Sequence, residues 1–269
     1  MWIISIVCAS VVGLNVADDA GLAKAAKNVR EVIGHRGSCA DRPENTLSSY
    51  RRAVEAGAHV AETDVRTTKD GQLVCSHDED VARSSNGRGK IGELTLAELK
   101  QLDFGSKFDA KYAGERIATL REVLEVCKGR IDVMLDLKET GQPYAEQVAA
   151  EVRKFGEPKR TVVGVRSVEQ ARQFRKLLPE ARQIGLIPTE KDVEAFATAG
   201  VETIRLWPKW LGDAALIDAV RRRQCKLLVG AGRGERAEVV AALKASPESV
   251  SCDDPARLVQ MLRELAGAK

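Results

Sequence analysis

From residue 31 onward the chain alternates two hydrophobic patterns: short, nearly continuous runs rich in Val, Ile and Leu, and longer stretches in which apolar residues recur at three- and four-residue spacing. The short runs, at 31–35, 60–65, 73–76, 131–137, 161–165, 183–187, 203–206, 226–229 and 249–252, predict strands, because a brief apolar run fits a strand covered on both faces. The periodic stretches, at 45–56, 96–102, 120–127, 144–155, 168–177, 191–199, 214–223, 236–244 and 257–265, predict helices with one buried face. Val168, Ala171, Phe174, Leu177 and Leu178 show that spacing. Strands with helices between most of them indicate a parallel sheet wound with crossover helices. At about 250 residues such units close into an α/β (β/α)8 TIM barrel. The barrel is expected to span 30–269, with one of the candidate strands outside the closed sheet and the pattern silent on which. One connection breaks the rhythm: about 80–116 reads as a small polar insertion after the third strand, with the glycine-rich run Arg83-Ser84-Ser85-Asn86-Gly87-Arg88-Gly89. A connection of that length is either a substrate loop or a solvated excursion.

The first residues follow neither pattern. Trp2 to Val16 is almost wholly apolar, and acidic residues first appear at Asp18 and Asp19. A run of about 15 apolar residues is short for a bilayer span but suits the central region of a secretory signal peptide. The expectation is therefore a signal peptide over 1–17, a secreted or periplasmic chain and no stable membrane insertion after cleavage. Against this stand the lack of a preceding Lys or Arg and the presence of Asn15 near the cut; an uncleaved anchor or a buried segment is the other reading. The 42 Lys and Arg against 39 Asp and Glu leave a net charge of +3 without a basic field, so no nucleic-acid partner is expected. At 44% hydrophobic and 30% charged residues the composition excludes a disordered chain. Of the 6 cysteines, cleavage would remove Cys8, and Cys39, Cys75, Cys127, Cys225 and Cys252 form no CxxC pair. Neither a zinc site nor a disulfide framework follows, and the thiols read as small buried apolar residues.

Candidate chemistry gathers where predicted strands end. In Gly34-His35-Arg36-Gly37 the glycines permit a sharp turn and close approach to a ligand, and Arg supplies a planar fork suited to phosphate oxygens. Glu62 and Asp64 share one face of a strand about 6.6 Å apart along the chain, so their charges repel unless a cation sits between them. A hard divalent ion, Mg2+ or Ca2+, suits these oxygen donors better than zinc; exposed acids at a strand edge are the alternative. Ser76-His77-Asp78 follows another apolar run. One histidine there would mean little alone, but of the 3 histidines in the chain His35 and His77 both close predicted strands. Two imidazoles on one rim can serve as acid and base across a phosphodiester, whereas His59 reads as structural. In Leu135-Asp136-Leu137-Lys138 the Asp136 carboxylate and the Lys138 ammonium share a face and either complete a metal shell or form a buried ion pair. Four such clusters at strand ends would converge on the C-terminal rim, where barrels of this kind keep their active sites.

The series His35-Arg36-Gly37, Pro43-Glu44-Asn45-Thr46, Glu62-Thr63-Asp64-Val65, Thr68-Lys69-Asp70-Gly71, His77-Asp78 and Leu137-Lys138 resembles, in order and spacing, the glycerophosphodiester phosphodiesterase family. The likeness continues through Arg83-Ser84-Ser85 and residues 117–124 and returns at Cys252-Asp253-Asp254-Pro255. The resemblance implies a TIM barrel of the kind shared with PI-specific phospholipases C. It implies His35 and His77 as the acid–base pair, Arg36 and Lys138 as stabilisers of phosphate charge, and Glu62 and Asp64 as metal ligands. The expected substrate is a small glycerophosphodiester; a lipid-directed phosphodiesterase and a non-catalytic phosphoryl-binding barrel are the rivals. Two departures stand out. Asp136 occupies the third ligand position, where the family usually carries Glu. Leu228-Val229-Gly230-Ala231-Gly232 stands where the family usually has an aromatic-led segment, leaving Trp207 or Trp210 to supply an aromatic wall.

Overall fold

The computed structural model describes residues 16–267. Its strands are β1 (Glu31–Gly34), β2 (Val60–Thr67), β3 (Leu73–Cys75), β4 (Asp132–Leu137), β5 (Thr161–Val165), β6 (Arg182–Gly185), β7 (Thr203–Leu206), β8 (Lys226–Gly230) and β9 (Ser249–Cys252). All but β3 are parallel neighbours in the order β1-β9-β8-β7-β6-β5-β4-β2, and β1 also pairs with β2, which closes the ring. The surplus strand is therefore β3. It runs antiparallel to the end of β2, with Val65 opposite Cys75 and Thr67 opposite Leu73. The hairpin that reverses it is Thr68-Lys69-Asp70-Gly71, in which Gly71 takes φ 76 and donates its N–H to the Thr68 carbonyl.

The helices are α1 (Val16–Asn28), α2 (Leu47–Glu55), α3 (Leu96–Leu99), α4 (Leu120–Cys127), α5 (Gln142–Phe155), α6 (Val168–Leu177), α7 (Val193–Thr198), α8 (Ala214–Arg222), α9 (Arg236–Leu243) and α10 (Pro255–Leu265). The pattern starts α2 at Asn45, two residues early. Asn45 instead takes a left-handed φ of 56, and Thr46 caps the helix by accepting from the Ser49 N–H. The α1 helix lies in a region the apolar pattern assigned to a leader and its aftermath. It packs against α9 and α10 and buries Ala25 and Ala26. Residues 1–15, nearly all of the expected signal peptide, lie outside the described residues. No helix of the described residues is long and apolar enough to cross a membrane.

Side chains alternate along each strand, so every barrel strand sends one set inward and one outward. The outward set, including Val65, Leu135, Val163, Ile204 and Val229, packs against the helices in the main core. Inward, the barrel is layered. At the N-terminal end Arg182 bridges Glu31 and Asp132, and Arg160 also pairs with Asp132. Above this plug lies an apolar layer of Ile33, Val60, Met134, Val162, Ile184, Leu186 and Leu228. Above that the inward positions turn polar, at the C-terminal rim. The insertion over the rim is polar only on its outside: Val81, Ile91, Leu99, Phe104 and Ile117 bury themselves with Val74 in a separate small core.

Candidate active site

The turn after β1 has room for glycine alone at its ends. A Cβ on Gly34 would sit 2.1 Å from the Gly37 carbonyl oxygen, and one on Gly37, at φ 87, would lie 2.7 and 2.8 Å from the Ser49 backbone. The turn places His35 and Arg36 on the rim, Arg36 itself at a left-handed φ of 51. The Arg36 N–H donates to Glu62 Oε2 at 2.7 Å, while its guanidinium reaches Glu44 at 3.1 Å and Asp64 at 3.5 Å. His35 Nδ1 lies 2.7 Å from Asp253, which immediately follows β9. Burial disfavours the imidazolium of His35, but the hydrogen bond to Asp253 and the Glu62 charge outweigh it and hold the pKa above the usual histidine value.

Glu62 and Asp64 from β2 and Asp136 from β4 are all buried, with carboxylate oxygens within 4.8 Å of one another. The β2–β4 register sets Asp64 beside Asp136. Lys138 links these two, with Nζ 2.8 Å from Asp64 and 2.6 Å from Asp136. Asn45 donates to Asp64 Oδ2 at 2.8 Å and is itself held by the buried Tyr50 hydroxyl. Burial pushes the Glu62 carboxyl up to about 7, helped by the like charges of Asp64 and Asp136 and opposed by His35. Burial also presses on Asp136, but Lys138 and Arg166 prevail and keep its pKa low.

His77 reaches the rim by a route the pattern did not predict. It was expected to close a barrel strand, but β3 is outside the barrel. Because β3 runs back down along β2, Ser76 donates its N–H to the Asp64 carbonyl, which returns the following residue to the level of the carboxylates. Arg66 fixes the His77 carbonyl at 2.7 Å, and His77 Nδ1 lies 2.7 Å from Asp78. Arg83, from the insertion, pairs with both Asp78 and Glu44, and Glu44 pairs with Arg36. A chain of ion pairs thus joins the surroundings of the two histidines. The Arg83 hydrogen bond, opposed by burial and reinforced by His77, holds Asp78 down at about 2.

All seven expected site residues, His35, Arg36, Glu62, Asp64, His77, Asp136 and Lys138, therefore meet at one rim. Further participants had not been assigned roles: Asp253, Glu44, Asn45, Asp78, Arg83 and Arg166. Arg166, just past β5, grips both oxygens of Asp136 at 2.7 and 2.8 Å. Strand parity signals it, since it lies two residues beyond inward Gly164. Of the two candidate tryptophans, Trp210 is buried in the outer core, whereas half-buried Trp207 packs on both the outer core and the inward apolar layer. His59 accepts the Val32 N–H through Nδ1 at 3.1 Å, a structural role. The described cysteines are free thiols; all are buried except half-buried Cys39, whose Sγ lies 3.9 Å from His35.

The carboxylate trio fits a hard divalent cation on its donor chemistry. Its ligand atoms are all oxygens, they are close enough to share one ion, and Glu62 Oε1 accepts no hydrogen bond among the described residues. Asp136 would share its oxygens between such an ion and the two cations already on it.

The profile of the Glycerophosphoryl diester phosphodiesterase family matches residues 35–195. A glycerophosphodiester phosphodiesterase of Caldanaerobacter subterraneus is 33% identical over 87% of this chain and 98% of its own. The crystal structure of a glycerophosphodiester phosphodiesterase from Agrobacterium tumefaciens superposes with a TM-score of 0.74 and 28% identity, covering 86% of this chain and 99% of that one. A phosphodiesterase from Oleispira antarctica, solved in complex with the product sn-glycerol-3-phosphate, shares the fold with a TM-score of 0.76 at 23% identity, over 88% of this chain and 98% of that one.

Proposed function

Since the chain belongs to the glycerophosphoryl diester phosphodiesterase family, a family of phosphoric diester hydrolases, we propose that it cleaves water-soluble glycerophosphodiesters to glycerol 3-phosphate and an alcohol, with His35 and His77 as the acid–base pair. The observation that carries this reading is one rim on which two imidazoles each turn Nδ1 to a carboxylate at 2.7 Å, flanking a buried acidic trio. With Nδ1 engaged, each ring keeps Nε2 for substrate. One would take the proton of the attacking oxygen and the other would protonate the departing alcohol. Arg36 and Lys138 would neutralise charge that grows on the phosphoryl group. A divalent cation, Mg2+ or Ca2+, on Glu62, Asp64 and Asp136 supplies Lewis-acid stabilisation of that charge when bound. Small diesters are favoured over lipids because Phe108 is the one large apolar side chain exposed among the described residues, at 42%. The apolar stretch 2–16 supports export to the periplasm or outside the cell, which N-terminal sequencing of the secreted fraction would test.

A coupled assay for glycerol 3-phosphate, run on the choline, ethanolamine and glycerol diesters with added Mg2+, tests the reaction. Release of glycerol 3-phosphate is the expected result; release of the phosphorylated alcohol instead, or of nothing, overturns the reading.

The His35–Asp253 pair yields a pH prediction. In Asp253→Asn one of the two carboxylates that raise the His35 pKa is gone, while burial, which lowers it, remains. The limb of the kcat/KM profile that reports His35 should therefore move to lower pH. An unmoved limb would show that Asp253 does not tune this ring.

A further inference from the structure

Among the described residues, Arg205 is the one inward cation of the rim that the site described above leaves without work. It lies on β7, in register with Leu228 of the inward apolar layer, while its neighbours Ile204 and Leu206 face the outer core. Its parity therefore directs it into the barrel. Lys138, Arg166 and Arg36 each have a carboxylate partner, whereas Arg205 forms no ion pair among the described residues, and its buried Nε has no hydrogen-bond partner. Its guanidinium lies over the Trp207 ring, 4.4 Å from the centroid, and the ring is anchored by Trp207 Nε1 donating to the Ile187 carbonyl at 3.1 Å. Burial without a partner holds the Arg205 pKa below the usual arginine value, against the pull of the more distant Glu62 and Asp136. Arg205 is half-buried, and its Nε is shut off from water without a protein partner; such a desolvated donor is costly, and an anion that arrives with a ligand would satisfy it.

The topology says which part of the ligand. Counting round the closed ring, β7 stands four strands from β2 in either direction, so Arg205 faces Glu62 and Asp64 across the mouth. A phosphoryl group held between β1, β2 and β4 by Arg36 and Lys138 would extend one arm toward β7. The wall beside Arg205 is open there: a Cβ on Gly230 of β8 would meet nothing nearer than the Ser251 hydroxyl at 3.7 Å.

We propose that Arg205, seated on Trp207, recognises a negative charge on the alcohol half of the diester, so that the preferred substrates are glycerophosphodiesters with an anionic headgroup such as a phosphomonoester or carboxylate. This inference rests on the phosphodiester hydrolysis proposed above and names its substrate class.

The test compares kcat/KM for three diesters of glycerol 3-phosphate: with glycerol phosphate, which ends in a phosphomonoester, with glycerol, and with choline. In the unaltered protein the first should exceed the second by about tenfold or more, the scale of one hydrogen bond to a charged group, and choline should rank last. In Arg205→Met the ratio of the first to the second should fall by about tenfold, and Arg205→Lys should restore part of it. Because Arg205→Met removes a half-buried cation that has no ion-pair partner among the described residues, its Tm should be no lower than that of the unaltered protein; a fall in Tm with an unchanged ratio would mark Arg205 as structural. A ratio near one in the unaltered protein, or one that Arg205→Met leaves unchanged, overturns the inference; an unchanged ratio with all three rates lowered would place Arg205 on the shared glycerol phosphate half instead. If none of the diesters is hydrolysed, the phosphodiesterase reading fails. Calorimetric binding of the same three compounds to the full chain then decides headgroup recognition by itself: tighter binding of the phosphomonoester-bearing diester, lost in Arg205→Met, supports it, and equal binding refutes it.

Discussion

His35→Ala is expected to lower kcat by roughly a hundredfold to ten-thousandfold, the range general acid–base catalysis contributes, while the barrel stays folded. The structural cost is small because His35 is not part of any apolar core and its partner Asp253 is one-third exposed, so water can solvate the carboxylate left behind. His77→Ala should cause a loss of similar size, since its ring sits still more openly at the rim, with 39% of its side chain exposed. If the two rings act as a unit in one proton transfer pathway, the double variant will be little worse than the poorer single one, because groups that act together are strongly non-additive. Steady-state rates of glycerol 3-phosphate release, paired with thermal melts, measure both effects. Either single variant with near-native kcat and a native melt would remove that ring from the chemistry. Multiplied losses in the double variant would mean that the rings contribute to separate steps.

How far these roles were legible in the sequence depended on the range of the interaction. Two-residue alternation is local, and it paired Glu62 with Asp64 and Asp136 with Lys138 without any knowledge of the fold. The same rule reaches Arg166, two residues past Gly164, and Arg205, two past Thr203. It passed them over because a lone arginine beside a strand end reads as a solvated residue until the ring closes around it. The Asp253–His35 contact spans 218 residues and depends on β1 and β9 being neighbours, a consequence of closure that no local pattern contains. His77 was identified for its residue type, but its route was not, because three apolar residues look alike whether their strand joins the barrel or folds back on β2. The insertion's polar surface concealed its core in a similar way: Val81, Ile91, Leu99 and Phe104 are too widely spaced to form a run, and only the fold brings them together. Glycine spacing, by contrast, signalled the His35 turn, although only the crowding of Gly34 by Gly37 is local; Gly37 is crowded by Ser49 of α2, which the fold brings against it.

Glu62→Gln should abolish metal-dependent turnover and, in the same protein, weaken a pH effect on stability. In the absence of a cation the Glu62 carboxyl is held at about 7, above the 4.5 of an ordinary glutamate, by burial and by its acidic neighbours. A group whose folded pKa is raised contributes stability that is complete below its unfolded pKa and is lost as pH rises through the folded one. Without divalent ions the protein should therefore melt lower at pH 8 than at pH 6. Glu151 of α5, also pushed to about 7 by burial, adds to the same slope and will persist in the variant as background. Mg2+ or Ca2+ held by the trio would relieve its repulsion, so either ion should raise Tm, and more at pH 8 than at pH 6. At a hundred times its Kd an ion that binds only the folded state adds about 2.7 kcal/mol, or on the order of 5–10 °C for a chain of this size. Glutamine keeps the shape and the hydrogen bond from the Arg36 N–H but removes the charge. Glu62→Gln should thus melt higher than the unaltered protein at pH 8 without metal, show little ion-induced shift, and have lost turnover. The crossing of the two melting curves separates this account from simple damage, because a variant that merely packs badly would be less stable under both conditions. Scanning calorimetry at pH 6 and 8, with chelator or with either ion, checks it; an unchanged ion-induced shift in Glu62→Gln would show that the trio is not where the cation binds.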